Sequence, residues 1–455
     1  SEIFAPGHRF GFFLAASVGW GISNVPFFKI MTRTVDLLKL RASYGIVGND
    51  NIGGTGDRFA YFTQFGSGNS YGFGPNGNLV YGIRETLLGS DKLTWEKSYK
   101  TNIGLEMMLW GKLNLTLDYY WERRKDILIQ RSSLPSMAGF DASIYANMGE
   151  MDNKGVDANL EYQTRIGNKV GLRLFGNLTY SKNKIVFRDE PAMQYAYQKS
   201  EGTRYGEFYG YIAEGYFQSE EEIKKSPRQM RELAPGDIKY KDLNDDGVID
   251  ANDQCYLGKS WFPSWSYGMG FNINYHNFDL ALFFQGVSDV SIMANGGSID
   301  TGNGDWGASG VGIVPFTGMG LNPSNVITKA LDRWTADNPR ADAWYPRMTA
   351  NATTNDNNYV NSTHWLKDGS YLRLKQASLG YTLENKKLMD KGIEYLYFYL
   401  SGQTLLTFSK FKLWDPELGS NGAKYPLSRM VTLGMRVSFK SNKAMKTMKV
   451  STTKT

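Results

Sequence analysis

Hydrophobic and polar residues alternate with a period of two along much of this chain. In the segment 112–123 the apolar positions are Leu113, Leu115, Leu117, Tyr119 and Trp121. The polar positions between them are Asn114, Thr116, Asp118, Tyr120 and Glu122. The same alternation recurs in the segments 156–165, 170–181, 265–275 and 431–439. Because successive side chains of a strand point to opposite faces, the pattern predicts an all-β, antiparallel protein with one apolar sheet face.

The polar positions of these segments are often charged, and several segments end in Tyr, Trp or Phe. This is the pattern of a transmembrane β-barrel, whose apolar face contacts lipid, whose other face lines a wet lumen, and whose aromatic residues lie at the membrane interfaces. The alternative is an antiparallel sheet that packs its apolar face on a soluble core. No apolar run approaches the length of a transmembrane helix.

The predicted connections between strands alternate between short and long. Residues 110–111, 166–169 and 276–277 form short turns, whereas 125–155, 184–263 and 287–370 form long connections. Transmembrane barrels have short periplasmic turns and long external loops, so this alternation favours the barrel. Soluble domains rarely contain loops of such length.

These rules predict about eleven membrane crossings, of which the first and the last run inward. They are 10–20, 37–45, 100–109, 112–123, 156–165, 170–183, 264–275, 278–285, 371–383, 394–405 and 430–439. Single-chain bacterial barrels normally have an even number of strands, and an open sheet would leave unpaired edges in lipid. We therefore expect this sheet to be part of a larger barrel.

The composition supports a strand-rich and turn-rich protein without a readable active site. The 455 residues include 50 Gly, 28 Tyr, 25 Phe and 11 Trp, but only 14 Pro. The net charge of +6 comes from interspersed Lys and Arg, which is weak support for an acidic partner and does not favour nucleic acid. A single cysteine, Cys255, excludes an internal disulfide, and the three histidines form no zinc pattern. No catalytic constellation is recognisable, so we do not expect an enzyme.

One segment, 242–253, has the spacing of a calcium-binding loop, with Gly247 at the position of the sharp turn. The predicted ligands are the side chains of Asp242, Asn244, Asp246, Asp250 and Asp253 and the carbonyl of Val248. Asp253 replaces the usual bidentate Glu, and neither flank is a long amphipathic helix. We therefore predict a structural Ca²⁺ that clips an external loop, with an unmetallated Asp/Asn/Gly turn as the alternative.

Aromatic residues are frequent in or beside the predicted external loops: Trp261, Trp265, Trp306, Trp334, Trp344 and Tyr345. Aromatic faces can stack on sugar rings, but anchoring of the loops and membrane-interface belts explain most such residues. The glycine-rich segment 302–312 lacks the Lys-Ser/Thr of a phosphate loop and is predicted to be a flexible loop.

An ordered series of segments covers nearly the whole chain and carries a family resemblance: 4–13, 17–20, 38–45, 48–49, 93–97, 102–105, 118–121, 126–128, 155–157, 236–250, 278–280, 284–286 and 371–375. Together these segments resemble the SusC/RagA class of TonB-dependent outer-membrane transporters. The resemblance implies a barrel of about 22 strands with an N-terminal plug, so eleven strands would be its second half. The plug, a signal peptide and the TonB-docking segment are not recognisable here. Residues 1–440 are thus expected to form the half-barrel, and residues 441–455 a disordered Lys-, Thr- and Ser-rich tail.

The resemblance further implies import of glycans or peptides through the outer membrane of a Gram-negative bacterium. A SusD-like lipoprotein would cap the outside, and the TonB complex would act through the plug. Polar residues such as Asp118, Glu122, Asp157, Glu161 and Arg173 would then hydrate the lumen or hold the plug. Two rival functions stay open: a passive porin or surface adhesin on the same barrel, and a soluble, calcium-clipped glycan-binding β-protein.

Overall fold

The computed structural model describes residues 1–26, 28, 34–51, 59–133, 142–167, 169–295, 327–348, 357–422 and 424–439. The strands of this part of the chain are β1 (Ala15–Gly21), β2 (Val35–Asn49), β3 (Gln64–Phe73), β4 (Asn78–Leu88), β5 (Glu96–Leu109), β6 (Leu113–Gln130), β7 (Ser143–Ile166), β8 (Val170–Phe187), β9 (Glu207–Gly210), β10 (Ala213–Tyr216), β11 (Ile238–Tyr240), β12 (Cys255–Ser260), β13 (Trp265–Tyr275), β14 (Phe278–Ser288), β15 (Ser291–Met293), β16 (Leu366–Asp368), β17 (Tyr371–Leu383), β18 (Ile393–Ser409) and β19 (Met430–Phe439). The helices are α1 (Glu220–Lys225) and α2 (Lys386–Asp390), with 3₁₀ turns at Ile22–Asn24, Ala196–Gln198, Ala251–Asp253, Thr328–Leu331 and Pro416–Leu418.

Eleven of these strands form one antiparallel sheet in simple chain order: β1, β2, β5, β6, β7, β8, β13, β14, β17, β18 and β19. The β3–β4 hairpin joins this sheet only through a short parallel contact between β4 and β7. Within the described residues β1 pairs only with β2, and β19 pairs only with β18. The predicted eleven-stranded antiparallel sheet is confirmed, and 371–383 and 430–439 have the predicted boundaries.

The structure corrects the predicted start of the first strand, which is Ala15 and not residue 10. Phe10 and Phe12 continue the alternation but are 96% and 83% exposed and lie outside the paired strand. The chain leaves the sheet edge here because Phe4 is fully buried against Trp95, with their ring centroids 5.6 Å apart.

The predicted long connection 125–155 is also wrong, because β6 and β7 remain paired to Gln130 and Tyr145. A bulge lies between Arg124 and Ile127, and Asp126 within it has a φ of 57°. A bulge inserts an extra residue and shifts the in-and-out alternation. The period-two pattern therefore breaks although the hydrogen-bonded ladder continues.

The register places the apolar positions of neighbouring strands side by side on one face of the sheet. Leu117 lies opposite Leu105 on β5 and opposite Ala158 on β7. At the other side of the sheet, Leu400 lies between Leu379 and Leu433. Those three leucines are 49%, 48% and 81% exposed. An apolar surface that runs across a whole sheet and stays exposed is typical of a face that contacts lipid.

The predicted short turns are confirmed at one end of the strands. Trp110 and Gly111 have φ values of 52° and 60°, the left-handed pair that closes a two-residue hairpin between β5 and β6. Residues 276–277 likewise join β13 to β14. The long loops lie at the opposite end and include the four small strands β9–β12 and the β15–β16 pair. We call these two edges of the sheet the short-turn end and the long-loop end.

No helix among the described residues is both long enough and apolar enough to cross a membrane. The predicted tail 441–455, Trp306 and the glycine-rich segment 302–312 lie outside the described residues.

Candidate functional site: the polar wall and the loop dome

The second face of the sheet, which we call the polar wall, carries ion pairs between neighbouring strands. Arg41 on β2 contacts Asp118 on β6, with Nη2 and Oδ2 2.6 Å apart. Its Nε lies 3.0 Å from Oε1 of Glu106 on β5, and Lys39 lies 3.4 Å from Oε2 of the same glutamate. These contacts connect β2, β5 and β6 through side chains as well as through the backbone.

The other polar residues predicted to face the lumen lie on the same wall. Arg173 on β8 donates from Nε to Oε1 of Glu161 on β7 at 2.8 Å. Thr179 donates to Oδ1 of Asp157 at 2.7 Å. Glu122 accepts a hydrogen bond from Ser98 and lies 3.8 Å from the ammonium of Lys100. Each of these groups is therefore paired across two strands, which gives the wall a fixed hydrogen-bonding pattern.

At the long-loop end the connections pack on one another around an apolar core of their own. We call the described residues 188–264, 289–295, 327–348, 357–370 and 410–422 the loop dome. Its buried core consists of Phe208, Tyr211, Tyr216, Ile238, Tyr240, Ile249, Met293, Ala330, Trp334, Ala343, Tyr345 and Trp365. Long loops with a common core hold their polar groups in defined positions, as a binding surface requires.

The centre of the loop dome is the start of the segment 236–250, which is part of the sequence resemblance. Gly236 has a φ of 91°, and a Cβ there would lie 2.2 Å from the indole of Trp334. The carboxylate of Asp237 is fully buried and pairs with Arg347, whose Nε lies 2.7 Å from Oδ1. Asn358 donates to the same oxygen at 2.8 Å. The network compensates a buried charge and joins the connection that contains Asp237 to the later connection that contains both Arg347 and Asn358.

The calcium-type loop lies beside this core, and its side-chain oxygens accept hydrogen bonds from its own backbone. The accepting atoms are Asp242 Oδ2 from Gly247 N (2.8 Å), Asn244 Oδ1 from Asp246 N (3.2 Å), Asp246 Oδ1 from Val248 N (2.8 Å) and Asp250 Oδ1 from Asn252 N (2.7 Å). Asp253, at the last position, is fully buried and accepts from Leu243 N and Asp250 N at 2.7 and 2.9 Å.

Both oxygens of Asp253 are therefore used by the backbone, whereas Oδ1 of Asp242 is buried without a hydrogen-bond partner. No three Asp, Glu, His or Cys side chains in the described parts of the chain are arranged to hold a metal ion. The calcium site at these residues stays a prediction.

Most of the aromatic residues singled out in the sequence support the loops. Trp334 and Tyr345 are 6% and 0% exposed. Trp261 is partly buried against the dome core, and Trp265 packs on Tyr180 of the neighbouring strand with ring centroids 4.4 Å apart. Trp344 is half-buried and lines a cleft.

That cleft has a volume of about 1100 Å³ and is bounded by segments of two connections of the dome, the one that precedes β17 and the one that follows β18. Four lysines line it, together with the aromatic rings of the same loops: Lys329, Lys367, Lys410, Lys412, Trp344, Phe411 and Trp414. Sequence reasoning missed this cluster because its members come from separate segments of two connections and have no characteristic spacing. The excess of Lys and Arg was the only signal in the sequence.

Lys367, one of the four lining lysines, is partly buried, and its side chain contacts an aromatic residue of the cleft. Its Nζ donates to the carbonyl of His364 at 2.6 Å and lies 5.3 Å from the ring centroid of Trp344. Burial, together with the nearby charge of Lys329, lowers the pKa of Lys367. Burial, followed by the charge of Lys367, lowers the pKa of His364 to about 4, so this imidazole is neutral near pH 7. The described lining of the cleft thus combines four lysines and three aromatic rings with one carboxylate, that of Asp368.

An eleven-stranded antiparallel sheet with an exposed apolar face, an ion-paired polar face and long loops at one end defines part of a membrane β-barrel of the receptor type. Residues 33–390 match the family described as TonB dependent receptor-like, beta-barrel, and the chain belongs to this family. The family comprises receptors and transporters and is not a class of enzymes.

Among its relatives, the chain is 27% identical to the TonB-dependent receptor P3 of Formosa agariphila and 25% identical to the TonB-dependent receptor SusC of Bacteroides thetaiotaomicron. Each similarity covers 96% of this chain, but only 43% and 41% of the relative. The RagAB peptide importer in its closed-closed state has the same fold, with a TM-score of 0.71 at 22% identity over 96% of this chain and 44% of that one. The resemblance to the SusC/RagA class is confirmed, and the chain spans less than half the length of these proteins.

Proposed function

We propose that this chain forms part of the barrel of an energised importer in the outer membrane of a Gram-negative bacterium. The observation that carries the proposal is the two-faced sheet, with an apolar face exposed from β1 to β19 and a polar wall on the other side. Only a closed barrel satisfies all backbone groups of such a sheet in lipid. Membership of the TonB-dependent receptor family supports coupling to TonB.

The cargo of the proposed importer is an oligosaccharide or a peptide. The similarity to SusC and the fold shared with a peptide importer support these two classes. In this proposal the loop dome faces the outside and contacts a SusD-like lipoprotein, and the polar wall holds a plug on which the TonB complex acts. The buried core of the loop dome supports the first contact, because a packed surface binds a partner without a large loss of conformational entropy.

The test is uptake of a fluorescently labelled oligosaccharide or peptide by cells that express the complete reading frame. Uptake that disappears in a tonB deletion strain, and that stops when the proton-motive force is removed, is the expected result. Uptake that continues in both conditions would instead identify a passive porin. Binding of cargo to the cell surface without uptake would identify an adhesin.

A further inference from the structure

We propose that the cleft between residues 327–329, 367–368 and 410–414 binds an acidic oligosaccharide, with its lysines contacting the sugar carboxylates and its aromatic rings contacting the sugar faces. This inference deepens the proposed function by naming a substrate class. The binding of such a ligand can nevertheless be measured without transport, so the two proposals can fail separately.

The first step of the argument is the charge of the cleft. Four lysines line it, and Asp368 is the only carboxylate among the described lining residues. Lys329 is paired with Asp332 outside the lining at 2.8 Å, which leaves three lysines without a carboxylate within salt-bridge distance in the described part of the chain. Lys410 and Lys412 are exposed. The excess positive charge in a concave site attracts an anion and strengthens its binding.

The second step is the position of Lys367. Its ammonium is half-buried, its Nζ is held by the carbonyl of His364, and its charge lies over the ring of Trp344. Lys367 and Asp368 also line a smaller cavity of about 560 Å³ that includes Lys259 and Asp289, and Asp289 is paired with Arg204. A partly desolvated ammonium without a carboxylate partner is costly, and an anionic ligand would supply the missing charge.

The third step is the aromatic wall, which favours a sugar over a peptide. The indole of Trp414 is held by Nε1–H donation to the carbonyl of Gly419 at 2.8 Å and by an edge contact with Phe411, with ring centroids 4.8 Å apart. Gly422 lies against it, and a Cβ there would be 2.4 Å from the indole. An electron-rich indole face that is held in place suits the flat C–H face of a pyranose ring. A volume of about 1100 Å³ accommodates several sugar units.

The experiment uses the protein expressed from its complete reading frame and purified in detergent. Calorimetry would compare three probes of similar length: a galacturonate tetrasaccharide, a neutral galactose tetrasaccharide and a tetraglutamate peptide. We expect the uronate to bind, with an affinity that falls at high salt, and the other two to bind at least tenfold more weakly. Equal binding of the neutral sugar, preferential binding of the peptide, or no binding of the uronate would each overturn the inference.

Two variants locate the site. The double substitution Lys410→Gln/Lys412→Gln removes two exposed charges, and we expect it to weaken uronate binding about five- to twentyfold. Lys386→Gln/Lys387→Gln on α2, at the short-turn end, removes the same charge and is the matched control. Gly422→Ala displaces the Trp414 indole, with an expected loss of about two- to tenfold for the uronate. Equal effects of the two lysine pairs would contradict the proposed site.

Binding and transport are then separated. One possible result is that the wild-type protein binds the uronate, that the Lys410/Lys412 variant binds it more weakly, and that uptake does not depend on TonB. This result would support the acidic-oligosaccharide site and reject the proposed energised importer. The opposite result is TonB-dependent uptake of neutral cargo without any binding of the uronate. It would support the proposed importer and reject the acidic-oligosaccharide site.

Discussion

The guanidinium of Arg373 on β17 donates two hydrogen bonds from Nη2 to the carboxylate of Asp415, at 2.5 and 2.7 Å. Arg373 is 1% exposed, and it also contacts Glu417 and the hydroxyl of Thr407. Asp415 in turn accepts from the backbone N–H of Glu417 at the start of a 3₁₀ turn. One buried arginine thus attaches the loop that carries Lys410, Lys412 and Trp414 to the sheet.

The first prediction concerns this attachment. Replacing Arg373 with Met leaves two carboxylates without their partner, so we expect the loop to lose about 2–4 kcal/mol of local stability. Trypsin should then cut after Lys410 and Lys412 at least tenfold faster, as measured by mass spectrometry of the released peptides. Arg436→Met is the matched control, because Arg436 is exposed on β19 and lies 5.9 Å over the ring of Tyr397. Equal cleavage rates in the two variants would exclude an anchoring role for Arg373.

The strands and short turns could be predicted from the sequence because their physical cause is local. A strand with one face in lipid must be apolar at every second residue, so the two-residue alternation of apolar and polar side chains is visible in the sequence of each strand. The predicted strand limits are wrong at two places. At the bulge around Asp126 the alternation of apolar and polar residues is interrupted although the strands stay paired. Near the start of the chain, the contact of Phe4 with Trp95 cannot be seen in the local pattern.

The loop dome could be predicted only in outline. The segment 236–250 was recognised as a family segment, but neither the pairing of Asp237 with Arg347 nor the lysine cleft has a sequence signature. Both depend on contacts between residues that are distant in the chain, which are fixed by tertiary packing. The aromatic residues of the loops are visible in the sequence, but their burial is not. Trp334 is buried and Trp344 is half-buried, and nothing in the local sequence distinguishes the two.

A second prediction concerns the close approach of Gly236 to Trp334. Gly236→Ala introduces a Cβ 2.2 Å from the indole at a φ of 91°, so we expect a loss of about 2–4 kcal/mol in the loop dome. Hydrogen exchange at the amides of Ile238 and Tyr240, which donate to Asn358 and Gln229, is the measurement. An acceleration of at least thirtyfold is expected.

Gly258→Ala is the control for this substitution. Gly258 has a φ of 70°, but a Cβ there meets nothing within 4 Å. It therefore carries the backbone strain of about 1 kcal/mol without the steric contact. If both alanines accelerated exchange equally at Ile238 and Tyr240, the contact with Trp334 would have no energetic role.

The third prediction is a pH dependence caused by His364. Its pKa in the folded protein is lowered to about 4, whereas the unfolded chain titrates near 6.5. Between these values the unfolded state binds more protons, so stability is complete above pH 6.5 and falls as the pH decreases towards 4. The difference between the pKa values of His364 in the folded and unfolded states corresponds to at most about 3 kcal/mol of unfolding free energy. The pH dependence is measured by urea unfolding of the loop dome at several pH values, with tryptophan fluorescence as the signal.

His364→Gln removes the titrating group, and we expect its unfolding midpoint to be nearly constant between pH 5 and 6.5, whereas that of the wild type falls with decreasing pH over the same range. The acidic groups of the dome with lowered pKa values are Asp189, Glu222, Asp289, Asp332 and Asp368. Their contributions are lost as the pH falls from the ordinary values of 4.5 for Glu222 and 3.8 for the aspartates towards the lowered pKa values, below the window from pH 5 to 6.5. The same slope in wild type and variant would assign the pH dependence to another group.

The fourth prediction tests calcium at the loop 242–253. If Ca²⁺ binds there, a concentration one hundred times the Kd should stabilise the loop by about 2.7 kcal/mol relative to EDTA. Asp246→Asn should remove most of this effect, whereas Asp337→Asn, an exposed residue elsewhere in the dome, should leave it unchanged. Protection of the loop from proteolysis is the readout. Identical digestion with EDTA and with millimolar calcium would identify an unmetallated turn.

The fifth prediction concerns the orientation of the barrel, and it uses the near absence of thiols. Cys255 is the only cysteine of these 455 residues and is 6% exposed, so an added cysteine can be labelled selectively once any exposed cysteine in the rest of the reading frame is replaced by serine. Asp342→Cys places a thiol in the loop dome, where the native side chain is 84% exposed. Lys391→Cys places one beside α2, at the short-turn end.

With the dome outside, a membrane-impermeant maleimide should label position 342 in intact cells and leave position 391 unlabelled. Position 391 should react only after the outer membrane is permeabilised, which is also the control that its thiol is accessible. Labelling of position 391, and not of position 342, in intact cells would reverse the orientation and place the lysine cleft on the periplasmic side, where it could not capture external cargo.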